Sequence, residues 1–92
     1  MRIVKDDKFV YNLKTILRFI AHGSKIQATK FNNSLFKAVD TLPDMPYHCR
    51  ASHYYNDEHI RDFIFKGYTI PYLIDEKQNK IVLLDIFKWS ER

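Results

Sequence analysis

The apolar residues of this chain change their spacing once, at Pro43, and that switch constrains the fold more than any other feature. Before it, they recur at steps of three and four. Val10, Leu13, Leu17 and Ile20, with Ile16 beside them, fall on one face of a helix predicted over Lys8–Ala21. Asn12, Lys14, Thr15 and Arg18 take its outer face. His22-Gly23 is expected to end it, glycine being free to adopt the left-handed conformation that closes many helices. Ser24 with Gln27 three residues on has the spacing of a capping box. Ala28, Phe31, Leu35, Ala38 and Leu42 then continue the three-four rhythm, which predicts a second helix from about Lys25 to Thr41 that Pro43 cannot extend. Two helices joined so tightly must lie antiparallel with their apolar faces turned the same way.

After Pro43 and Pro46 the apolar residues come in short runs. Tyr47–Ser52 reads as a short strand, and Tyr55-Asn56-Asp57-Glu58 as a turn. Ile60–Lys66 and Tyr68–Ile74 form a tight hairpin about Lys66-Gly67, with Asp75–Asn79 a polar connector. Lys80–Phe87, holding Ile81-Val82-Leu83-Leu84, reads as one strand with a deeply buried face. Pro71 would remove a ladder donor, so it belongs at a bulge or where its nitrogen faces away from a neighbour. The expected architecture is α+β: an N-terminal strand and a helical hairpin packed on one face of a three- to four-stranded antiparallel sheet, all within a single domain spanning 1–92.

A chain of 92 residues has room for one core, burying about 60–65% of the surface its unfolded form exposes. Its 46% hydrophobic content, with seven Phe and six Tyr, excludes a disordered chain. Fifteen Lys and Arg against eleven Asp and Glu give a net charge of +4, which favours an acidic partner. The lone Cys49 leaves packing to hold the fold, as in a reducing compartment. No apolar stretch of signal-peptide or membrane-span length is present, so a soluble, cytoplasmic protein with no membrane association is expected. His48, His53 and His59 fit no familiar zinc spacing. Without a glycine-rich phosphate loop, serine nucleophile motif or paired carboxylates, neither a metal nor another cofactor is expected.

Several phrases in this order resemble the RelE/ParE superfamily of bacterial toxins, also described as plasmid-stabilisation proteins. Ile16-Leu17-Arg18-Phe19-Ile20-Ala21, the turn His22-Gly23-Ser24 and Ala28-Thr29-Lys30-Phe31 are similar to its helical hairpin. Leu42-Pro43-Asp44-Met45-Pro46-Tyr47-His48-Cys49-Arg50 resembles its exit from the second helix. Ile60-Arg61-Asp62-Phe63, Lys66-Gly67-Tyr68-Thr69-Ile70-Pro71-Tyr72 and Val82-Leu83-Leu84-Asp85-Ile86-Phe87-Lys88 resemble its closing strands.

The resemblance implies the toxin of a type II toxin–antitoxin system, bound by a cognate antitoxin in a hetero-oligomer, with either DNA gyrase or the ribosome and its mRNA as target. The nuclease branch places cations before and immediately after Gly-Tyr, where this chain has Lys66 and the neutral Thr69. Such a nuclease would have to draw on Arg61, Lys88, His53 and Tyr68. In-line RNA cleavage needs a base, cations for the phosphorane and an acid for the leaving oxygen, and this set is incomplete. The balance favours a ParE-like toxin that is no enzyme, with an endoribonuclease, or a degenerate toxin acting only as a binding module, as alternatives. Candidates for contact with the target or partner are Arg50, Tyr54, Arg61, Lys66, Lys88 and Trp89. The plain alternatives are an Arg61 bonded within the sheet, a Tyr54 packed over it and a Lys88 merely solvated.

Overall fold

The computed structural model describes residues 1–88, so the expectation for Trp89 lies outside the described residues. The chain runs β1 (Arg2–Lys5), α1 (Asp7–Gly23), α2 (Lys25–Val39), a single 3-10 turn (Leu42–Asp44), β2 (Ile60–Phe65), β3 (Tyr68–Asp75), β4 (Lys80–Leu83) and β5 (Phe87–Lys88).

Asp6 caps α1, its carboxylate accepting from the Lys8 amide at 3.0 Å. The helix continues through Gly23, which does not adopt the expected left-handed conformation. Ser24 makes the turn instead. It is extended (φ −164°, ψ 117°), gives its amide to the Ile20 carbonyl, and its hydroxyl accepts from the Gln27 amide at 3.1 Å. Because the Ser24 amide is already committed to α1, the reciprocal half of a capping box has no donor to satisfy. One serine thus closes α1 and opens α2. The second helix stops at Val39, two residues before the predicted end, and Pro43 enters the 3-10 turn.

The sheet has the order β1-β4-β3-β2, with β5 continuing beyond β4 along β3. Strand β3 is antiparallel to both of its neighbours, β2 and β4, as expected. The N-terminal strand is present as expected, and its direction, which the expectation left open, is parallel to β4, Ile3 against Ile81 and Val4 against Val82, so the sheet is mixed. The physical reason lies in β4, whose Ile81 and Leu83 are buried, so the backbone groups along both of its edges need partners. β3 covers one edge and β1 the other. Phe9, Leu13, Phe31, Leu35 and Val39 from the helices meet Ile70, Tyr72, Ile74, Ile81 and Leu83 in a core from which water is nearly excluded. These β3 and β4 residues alternate along their strands, so one sheet face is the helix side.

Two further expectations are corrected. Tyr47–Ser52 is not a strand; only Ala51 bridges to Arg61, and the segment is otherwise irregular. Lys80–Phe87 is not one strand but two, separated at Leu84–Ile86. Pro71 accounts for the interruption. It pairs with Asp62 at a position whose backbone groups face away from β2, so its nitrogen points to where β4 ends, while its carbonyl accepts from Leu84 at 2.9 Å. The missing donor falls opposite a gap.

The β2–β3 turn uses Lys66 (φ 49°) and Gly67 (φ 83°), the paired positive φ values of a type I′ hairpin.

Candidate functional site

The break after β4 opens onto a cleft beside α1. Asp85, the only acid in the run 81–87, turns inward there and is almost fully buried. One carboxylate oxygen accepts from Asn12 Nδ2 at 2.7 Å and from the Ile86 amide at 2.8 Å. The other lies 3.4 Å from Lys8 Nζ. These contacts lock α1 onto the β4–β5 junction.

Between them opens a cleft of about 370 Å³, walled by Asn12, Thr15, Ile16 and Phe19 of α1 and by Tyr68, Ile86, Phe87 and Lys88 of the sheet. Phe19 is 73% exposed and Tyr11, two turns earlier on the helix, 68%. With Thr15 between them they form a second stripe on α1 at i, i+4 and i+8, distinct from the core-facing one. Exposed aromatic side chains beside a concave surface make this the candidate interaction site. The rim is basic: Lys88 is exposed, Arg18 reaches Thr15 at 3.4 Å, and Lys8 stands at the Asp85 end.

Of the residues expected to serve a site, Tyr68 and Lys88 are brought together, as cross-strand partners of β3 and β5 in this cleft. Arg61 is elsewhere. It pairs with Tyr72, four residues further along β3, about 13 Å from Tyr68 at the usual rise of a strand. Its guanidinium is committed to the Tyr47–His59 loop: Nε donates to the Glu58 carbonyl and Nη1 to the Cys49 carbonyl, both at 3.1 Å, and the group lies over the Tyr47 ring, 5.0 Å from its centre. Tyr72 helps hold the same loop, its phenol donating to the Pro46 carbonyl at 2.6 Å, and burial pushes that phenol's pKa up.

Arg50, His53 and Tyr54 belong to the loop where it crosses the helix-free face. There Asp62 is completely buried, accepting from the His53 amide at 3.1 Å with Arg50 Nη2 at 3.8 Å. Tyr54 packs edge-on against Phe87 at 5.1 Å. Lys66 stands at the hairpin turn over Phe65. Thr69, at the position where the nuclease branch keeps a cation, is fully buried, and its hydroxyl has no partner. A cation at that position would be desolvated beneath the loop.

The residues missed in the sequence are those of the cleft's α1 wall. Asn12 and Thr15 read as solvated outer-face positions, yet Phe19 on that same face was the signal that it is not merely solvated. Asp85 carried a second signal, as a carboxylate inside an apolar run. Among the described residues no group of three or more His, Cys, Asp or Glu could hold a metal, and no helix is long and apolar enough to cross a membrane.

This arrangement offers apolar side chains with the exposed Lys88 beside them, and the Arg61 guanidinium lies outside it, bonded to the Cys49 and Glu58 carbonyls. Comparison with solved structures finds a chromosomal ParDE toxin–antitoxin system from P. aeruginosa, similar at a TM-score of 0.77 and 16% identity over 96% of this chain and 95% of that one. At that identity the likeness concerns the fold. Among curated proteins none matches the sequence. The family model described as the ParE toxin of the type II toxin–antitoxin system parDE matches residues 3–92. The chain therefore belongs to the ParE toxin family of type II toxin–antitoxin systems.

Proposed function

We propose that this protein arrests growth by binding a macromolecular target, DNA gyrase, and that a cognate antitoxin neutralises it by laying an amphipathic, acidic segment in the cleft between α1 and the β3–β5 ladder. The observation that carries the reading is the disposition of the cations. Lys88 and Arg18 rim an apolar groove, while Arg61 is consumed by two loop carbonyls about 13 Å away along the strand. Phosphoryl transfer needs cations and a proton acceptor converging on one phosphate. Binding an acidic amphipathic segment needs an apolar floor with a charged rim. The exposed Lys88 beside the cleft and the remote Arg61 support the second pattern over the first. Both partners would be met in the cytoplasm.

Tyr68 beside Lys88 is the observation that keeps a nuclease reading open. Inducing the toxin and mapping transcript 5′ ends separates the two. A gyrase-directed toxin gives growth arrest with a DNA-damage response and intact mRNA. Fresh cuts within translated codons, abolished by Lys88→Ala or Tyr68→Phe, would overturn it. Growth unaffected at high expression, with the antitoxin still bound, would mean a binding module only.

A further inference from the structure

We propose that the open half of the β2 edge, Phe63–Phe65, is a strand-addition site for an extended segment of a protein partner, apolar at alternate positions and acidic at its ends. It is separate from the α1 cleft and does not depend on the gyrase reading.

β2 ends the sheet, so one side of it has no neighbouring strand. The alternation along the ladder fixes which groups face outward. The Ile74 amide bonds to the His59 carbonyl, which makes Ile60 and Leu73 a non-hydrogen-bonded pair. Residues 60, 62 and 64 therefore turn their backbone groups away from β3. For the first two the consequence is visible: the Ser52 amide donates to the Ile60 carbonyl at 2.8 Å, and the Asp62 amide donates to the Arg50 carbonyl at 3.1 Å. The protein already adds a short strap of its own chain, antiparallel, to this edge. The strap ends at Arg50, where the chain leaves towards the helix side and the Cys49 carbonyl is taken by Arg61.

Ile64 is next in the row, and its outward amide and carbonyl have no backbone partner among the described residues. Phe63-Ile64-Phe65 carries none of the devices that blunt an edge: no proline, no charge and no bulge. The Ile64 side chain is 49% exposed. On the helix side, flanking Phe63, lies a hollow of about 240 Å³ lined by Leu42, Met45 and His48, with Thr41 and Asp44 at its polar end. Strand addition draws affinity from main-chain bonds and selectivity from such hollows for alternate side chains.

Charge decides the occupant. Exposed Lys66 stands at one end of the open stretch and Arg50, half-exposed with its guanidinium 3.8 Å from the buried Asp62, at the other. A second copy of β2 would set these cations against their own kind. An acidic-ended segment would pair with them.

The test titrates isotope-labelled protein with a capped seven-residue peptide holding Ile or Val at alternate positions between terminal Glu residues. Its match is the same peptide N-methylated at the central amides, which keeps every side chain but cannot pair as a strand. The expected result is shifts confined to residues 62–66 and at least tenfold slower exchange of the Ile64 amide, both lost with the methylated peptide. Ile64→Pro deletes the outward donor along with the side chain and leaves the β2–β3 bonds in place, so it should weaken binding at least tenfold, whereas Ile64→Ala, which removes the side chain alone, should weaken it less. Equal binding of the two peptides, shifts confined to the α1 cleft, or no shift at millimolar peptide would overturn the proposal. So would a concentration-dependent dimer whose Ile64 amide is already protected.

Discussion

Replacing Asp85 with Ala removes the side chain that fastens α1 to the β4–β5 junction, and the cost can be worked from its contacts. The buried carboxylate accepts from Asn12 Nδ2 at 2.7 Å and the Ile86 amide at 2.8 Å. Hydrogen bonds to a charged acceptor are worth about 1.5–3 kcal/mol each. The Lys8 contact, 3.4 Å long to a lysine more than half exposed, adds well under about 1 kcal/mol. Removing the carboxylate also removes its own burial penalty, so a net loss of about 3 kcal/mol is expected. For a domain of this size that lowers Tm by roughly 12–24 °C. Asp85→Asn keeps an acceptor for Asn12 and Ile86 and should cost only about 1 kcal/mol. Lys8→Ala should cost less still. Urea denaturation of the three variants supplies the numbers. If Asp85→Ala cost under about 1 kcal/mol, or Asp85→Asn cost as much as Asp85→Ala, the acceptor argument would be wrong.

Gly67→Ala should destabilise by about 1 kcal/mol, because its φ of 83° disfavours a side chain while nothing lies within 4 Å of the new Cβ; a larger loss in thermal melts would point to a steric clash instead. Arg61→Ala should cost about 2 kcal/mol and speed amide exchange across 47–59 with little change in the α1 cleft, and Arg61→Lys should not restore it, since an ammonium cannot span the Cys49 and Glu58 carbonyls. Unchanged loop exchange would remove Arg61's role as a clasp. The Asp57 carboxylate is held below its usual range first by the His59 amide, so its stabilising contact is present above the unfolded-state value of about 3.9 and is lost only as pH falls through the lower folded value. The His59 amide shift should titrate with a midpoint below that value, and a midpoint above it would contradict the assignment.

The helical hairpin was legible because its signals are local: a three-four apolar rhythm, Ser24 with Gln27, and Pro43 after the second helix. The Lys66-Gly67 hairpin was legible for the same reason. What the residues could not show was set by distant partners. The parallel placement of β1 depends on β4 needing a second neighbour, and four residues carry no mark of direction. The split of the last strand depends on Pro71, twelve residues or more away, withholding a donor. Arg61 and Lys88 were rightly noticed as cations on the sheet, but strand parity and the loop decide their roles. Arg61 turns to loop carbonyls and Lys88 to the cleft. The cleft's α1 wall stayed hidden because Asn12 and Thr15 look solvated until Phe19 is set beside Tyr68 across the gap.

Supercoiling by purified gyrase in the presence of this protein is the most direct measurement, with message integrity followed in a parallel translation reaction. Supercoiling should fall with rising toxin, the effect should be relieved by the antitoxin, and Phe19→Glu should lose the relief while it keeps its fold. Gyrase working at full rate while translated messages are cut would contradict the gyrase reading.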